Sequence, residues 1–211
     1  MKKQNCRNLL LAISGLVILA GCNGGTTNNY TNNTIVDCYL PTFTPAIGSY
    51  LLTQWGKSVQ NYSPNNFSGG DVYVGAGYFT MSNYTSDATL LPTVSSVQRE
   101  GTQELYNYFT HFLALNPVMS IPNAESNVFV QLGCGYGGGN GYYDFVVTNP
   151  DTQVESTVHA RFTFLYKYES QPFTESFTVE SGASIGQVKT QTNAPGWYVW
   201  AQHSSALPDG H

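Results

Sequence analysis

The run VHARFTFLYKY (158–168) alternates polar and apolar side chains along its length, and no other stretch restricts the fold so tightly. Alternation with a period of two belongs to a strand with two unlike faces. It puts His159, Arg161 and Thr163 on one of them. The closing run WYVWAQHSSALP (197–208) brings Trp197, His203, Ser204 and Ser205 to the end of a second strand. Burying such groups unpaired costs about 1–3 kcal/mol each. Polar residues on an aromatic sheet therefore need a reason, and a small polar pocket is one.

Helical periodicity comes before the strands. Thr44-Pro45 reads as an N-cap followed by proline in the first turn. Ile47, Leu51, Trp55 and Val59 then recur every four residues, with Leu52 and Tyr62 beside them, and Ser63-Pro64-Asn65-Asn66 ends the helix. Residues 69–86 are Gly/Tyr-rich and fit either strand or packed loop. Ala88–Leu91 is a short apolar run stopped by Pro92. A second helix opens at Gly101-Thr102, carries Leu105, Tyr108, Phe109, Phe112 and Leu115 on one side, and stops at Asn116-Pro117. Strands are predicted over 128–132, 142–148, 158–168 and 197–204. The glycine-rich GYGGGNG (135–141) reads as a flexible hairpin between two of them. It is not a phosphate loop, because no Lys-Ser/Thr follows and no helix begins there. Helices first and an antiparallel sheet afterwards predict an α+β domain.

The first 21 residues are a separate matter. Lys2, Lys3 and Arg7 precede an apolar stretch, Leu9–Ala20, that is short for a membrane span. It ends in Leu19-Ala20-Gly21-Cys22, which resembles the lipobox of bacterial lipoproteins. That resemblance implies a signal peptide at 1–21 and a lipid on Cys22. Asn23 follows in place of an aspartate, so outer-membrane anchoring facing the periplasm is expected, with the cell surface as the other destination. Residues 22–44 then form the lipidated cysteine and a tether, of which 23–34 (NGGTTNNYTNNT) is almost free of apolar side chains. The domain proper is expected at 45–211.

Without Lys2, Lys3 and Arg7, five of the eight basic residues remain against 13 acidic ones, a net charge near −8. This argues against nucleic-acid binding, which needs a basic stripe. Cys6 leaves with the signal and Cys22 carries lipid, so Cys38 and Cys134 remain as an even pair in an oxidising compartment. They predict a disulfide that staples the N-terminal segment to a central strand; two buried free thiols are the alternative. No Cys/His spacing resembles a metal site, and no cofactor is expected.

DATLLPTVSSVQREGTQELYNYF (87–109), GYYDFVVT (141–148), ARFTFLYKY (160–168) and WYVWAQHSSALP (197–208), in that order after a helix, resemble one family. It is the calcium/calmodulin-dependent protein kinase II association domain in its stand-alone bacterial form. That form belongs to the nuclear-transport-factor-2-like superfamily, together with SnoaL-like cyclases and ketosteroid isomerase. The resemblance covers most of 45–208. It implies a cone-shaped, cystatin-like fold: a curved antiparallel sheet wraps the N-terminal helix and leaves a cavity at its open end. It also implies homodimers or larger rings formed through the outer sheet face. Its pocket maps onto Arg161, His203 and Ser204, with Arg161 suited to an anionic group and His203 able to donate or accept near neutral pH. His159 shares the face of Arg161. Tyr108 joins them as a pocket candidate, although the core is the default for a residue on that helix.

Three departures bear on function. Gln202-His203 stands where many relatives carry His-His. Residues 169–196, with the strand-like FTESFTVE (173–180), replace a short turn and read as either an extended hairpin or a lid. Leu91 occupies the position where ketosteroid isomerase has its aspartate base, so the carboxylate needed for proton transfer is missing. The expectation is therefore a membrane-anchored, non-catalytic oligomerising domain that binds a small ligand or an envelope protein in a polar-tipped pocket. The alternative is a SnoaL-like isomerase, cyclase or hydrolase acting on a small apolar substrate.

Overall fold

Thr44 starts the first helix as its residue type suggests: its Oγ1 accepts a hydrogen bond from the Ile47 N–H at 3.2 Å. The computed structural model describes residues 38–92 and 96–207. Over these the order is α1 (Pro45–Asn61), α2 (Val72–Asn83), β1 (Tyr84–Leu91), β2 (Arg99–Glu100), α3 (Gly101–Leu113), β3 (Val118–Ser120), a 3-10 turn (Ala124–Ser126), β4 (Val128–Gly133), β5 (Tyr136–Thr148), β6 (Glu155–Glu169), β7 (Phe173–Thr178), β8 (Val188–Asn193) and β9 (Gly196–Ala206). The signal peptide, Cys22 and tether residues 22–37 lie outside the described residues.

The main sheet runs β2-β1-β9-β6-β5-β3, and β4 pairs with the first half of β5. Every pair in it is antiparallel except β1 with β9, which run parallel. Its inner face carries Tyr143, Phe145, Phe162, Phe164, Tyr166 and Val199, all buried. Against that face α1 places Leu52, Trp55 and Val59, and α3 places Leu105 and Phe109. Trp55 stacks on Tyr143 and meets Phe79, Phe145 and Phe164 edge-on, so one indole ties α1 to α2, β5 and β6.

The glycine run departs from expectation. Residues 136–141 are part of β5, bonded to β4 on one side and β6 on the other. The reason is steric. A Cβ on Gly137 would lie 2.2 Å from the Phe43 ring, and one on Gly139 would lie 2.4 Å from the Phe129 ring. The bare strand thus accepts two rings laid flat against it. The turn before it holds the Cys38–Cys134 disulfide, with a Cα–Cα distance of 5.5 Å. Of residues 38–44, expected in the tether, Phe43 is buried in the core at 2% exposure while Tyr39 stays 91% exposed.

Residues 72–83, left open between strand and loop, form α2. Asp71 caps it, its Oδ1 accepting from the Tyr73 N–H at 2.9 Å. Gly77 leaves room for the Phe177 ring, which would be 1.9 Å from a Cβ there. Phe177 belongs to the insertion, whose β7 and β8 make a separate two-stranded hairpin packed on the helices. Gln103 holds the hairpin backbone at Thr178 in both directions, donating to its carbonyl and accepting from its N–H. Beneath lies Glu175, only 5% exposed. It accepts hydrogen bonds from Thr102 at 2.7 Å and Asn193 at 3.0 Å. Burial pushes its carboxyl up to about 7, against those two hydrogen bonds, and Asp87 adds to the rise.

Candidate functional site

A cavity of about 110 Å³ lies between the sheet's inner face and the helices. Its wall is mostly aromatic: Trp55 from α1, Tyr108, Phe109 and Phe112 from α3, and Tyr143 and Phe145 from β5. Leu90 and Pro92 close one side and Val158 and Ala160 another. Gln202 and Ser204 of β9 add polarity at one end. No Asp, Glu or His lines it among the described residues.

The polar end is held by hydrogen bonds. Trp55 Nε1–H donates to the Tyr84 hydroxyl at 3.0 Å. Tyr84 donates in turn to Gln202 Oε1. The Gln202 side chain lies close enough to the Tyr143 hydroxyl to favour its ionised form, and Tyr143 and Ser204 share a hydrogen bond of 2.6 Å. These bonds join α1, β1, β9 and β5, and so pin the cavity wall from four elements. Burial raises the phenols of Tyr84 and Tyr143 well above their ordinary value. Burial likewise pushes Tyr108 up to about 12, with the Arg99 cation pulling the other way. All three are neutral hydroxyls at physiological pH, able to donate but not to act as a phenolate base.

The five candidates from the sequence fall on opposite sides of the sheet. Tyr108 and Ser204 line the cavity. Arg161, His203 and His159 do not; they are exposed on the outer face. Strand alternation explains the correction. Phe162, Phe164 and Tyr166 fill the inner positions of β6, so Arg161 and His159 project outward. Along β9, Gln202 and Ser204 point in, and His203 between them points out. His203 and Ser204 are sequence neighbours on one strand and cannot share a pocket. The expected inward guanidinium is absent: Arg161 Nε donates to Ser205 Oγ at 3.0 Å outside.

Arg161 and His203 do come together with Asn140, Tyr142 and Thr163, in a shallow groove of the outer face. Beside it His159 Nδ1 lies 2.8 Å from Asp144 Oδ1, a surface pair that contributes little to stability. The site residues not singled out from sequence are Trp55, Tyr84, Tyr143 and Gln202. Trp55 and Tyr143 were visible only as core residues of a helix and a strand. Gln202 stands where the family resemblance leads one to expect a histidine.

The curled sheet, the helices on its concave side and the cavity between them define the class: this is the nuclear-transport-factor-2-like, cystatin-like α+β fold. Solved structures that share it include two with similar coverage. A protein described as a calcium/calmodulin-dependent protein kinase II association domain, from Xanthomonas campestris, is 24% identical with a TM-score of 0.52, over 81% of this chain and 93% of that one. A nuclear transport factor 2-like superfamily protein from Salmonella enterica serovar Typhimurium strain LT2 aligns with a TM-score of 0.51 at 6% identity, over 79% of this chain and 93% of that one. No protein-family model and no curated protein matches this chain.

Proposed function

We propose that this is a lipid-anchored, non-catalytic binding module that takes a small apolar molecule into the aromatic cavity and self-associates through the outer sheet face. The observation that carries the reading is the cavity wall. It offers rings and neutral hydrogen-bonding groups at Tyr108, Tyr143, Gln202 and Ser204, and no carboxylate or imidazole among the described residues. Binding of a flat apolar ligand needs only that wall, whereas proton transfer beside a carbonyl needs a base within hydrogen-bond reach. The donors at the polar end would suit a developing oxyanion, so the isomerase or cyclase reading keeps one half of its machinery and lacks the other.

Self-association is supported by the outer face. Val130 and Leu132 are 47% and 56% exposed, and Tyr136 and Trp200 meet edge-on at 39% and 38% exposure. Gly138 and Leu165 lie between them in the β4-β5-β6 register. The Xanthomonas campestris relative is by its description an association domain, which favours the same use of the fold here. Lipid attachment at Cys22, facing the periplasm, is the part of the proposal that rests on the lipobox alone.

The test is native mass spectrometry of residues 22–211 expressed without lipid. Dimers or larger closed assemblies with a small co-purified molecule are expected. A monomer with an empty cavity that turns over a ketone or lactone substrate would replace this reading with the enzymatic one.

A further inference from the structure

We infer that the cavity selects a ring-sized ligand whose polar end accepts hydrogen bonds and does not donate them, such as an aromatic carbonyl or nitrile; this rests on the binding reading above. Hydrogen-bond direction sets this preference. An indole N–H only donates, so the Tyr84 oxygen accepts from Trp55 and its proton goes to Gln202 Oε1. That bond fixes the Gln202 amide with its oxygen committed to Tyr84. The end of the side chain left for Tyr143 and the cavity is therefore the NH2 group, which carries two donors and no acceptor. At the Gln202 amide a ligand donor would meet an N–H head-on, and a ligand acceptor would complete the amide.

A second observation points the same way. Arg99 pairs with Leu90 across β1 and β2, and directly paired residues project from the same side of a sheet. Leu90 lines the cavity. The Arg99 Nε–H is buried and has no hydrogen-bond partner among the described residues. Arg99 does not itself line the cavity, but its cation acts on the Tyr108 phenol of the wall, and the guanidinium has no acceptor capacity of its own. At about 110 Å³ the cavity is smaller than the apolar cavity of about 150 Å³ that takes benzene, so a single ring is the most it holds.

Three probes of similar shape decide it: benzonitrile, which only accepts; aniline, whose amine donates; and toluene, which does neither. Binding to residues 22–211 is followed by isothermal titration calorimetry and by Trp55 fluorescence, with Trp197 and Trp200 replaced by Phe. Benzonitrile should bind roughly fivefold tighter than toluene, the worth of one net hydrogen bond, and aniline no tighter than toluene. In Gln202→Leu, benzonitrile should fall to the toluene level while toluene holds. Aniline or toluene equal to or tighter than benzonitrile in the unsubstituted chain overturns the inference and leaves the cavity as a binding site. Failure of all three to bind overturns the binding reading itself. The comparison in the unsubstituted chain stands even where Gln202→Leu does not fold.

Discussion

The two faces of the central sheet are written in the same strands and do different work. On β6 the inner positions are Ala160, Phe162, Phe164 and Tyr166, and the outer ones are His159, Arg161, Thr163 and Leu165. The inner face is buried, stacked ring on ring, and wired by hydrogen bonds that cross four elements. The outer face carries an exposed ion pair, a guanidinium resting on a serine and a strip of uncovered apolar side chains. A residue type therefore says little about a site until its face is known. Arg161 has the chemistry of an anion-binding group and the address of a surface residue.

The comparison breaks most sharply at Phe164. Phe164→Ala should cost about 3–5 kcal/mol in denaturant unfolding, because the ring is fully buried against Trp55 and Phe162. Adjacent glycines in β5 give a narrower contrast. Gly139→Ala pushes a methyl group into the Phe129 ring on the inner face and should cost about 1–3 kcal/mol. Gly138→Ala faces outward, where the nearest atom is the end of the Leu132 side chain at 3.0 Å. It should be neutral to within about 1 kcal/mol. Equal losses at the two positions would mean that the faces do not differ in packing.

The hairpin side of the helices tests buried polarity by pH. Glu175 is raised from 4.5 to about 7 by burial in the folded protein. A raised carboxyl binds its proton more tightly when folded than when unfolded. Its contribution is present in full below about 4.5 and is lost as pH rises through about 7. Thermal stability should fall over that window, and Glu175→Gln should flatten the profile. A slope unchanged in that variant would assign it elsewhere. The smallest effect belongs to Arg161→Ala, which should change stability by less than about 0.5 kcal/mol and leave cavity-ligand affinity unchanged by titration calorimetry.

Much of the fold was legible because its signals are local. Thr44-Pro45 marks a helix start, the 158–168 alternation marks a strand, and Cys38 and Cys134 were the one pair left to join. The second helix, α2, was not, since Gly75 and Gly77 weaken any helical reading and their purpose is visible only when Phe177 comes down on Gly77. The glycine strand hid for the same reason: nothing local says that Phe43 and Phe129 will cover it. The parallel pairing of β1 with β9 joins residues more than a hundred positions apart, beyond any periodicity. At the site, alternation correctly grouped Arg161 with His159 but left open which group points inward. Large aromatic side chains decide that, since they gain most by leaving water. The Trp55-Tyr84-Gln202 and Tyr143-Ser204 hydrogen bonds draw on four elements, and no spacing in the sequence announces them.

The bond from Cys38 to Cys134 is set apart from the cavity. Cys134 sits just before β5, while the cavity is lined from the far end of that strand by Tyr143, Phe145 and Val147, roughly 30–43 Å away at about 3.3 Å per residue. The covalent link therefore meets the domain at the opposite end of β5 from the residues that line the cavity, and most of that strand, bonded along its length to β6, separates the two.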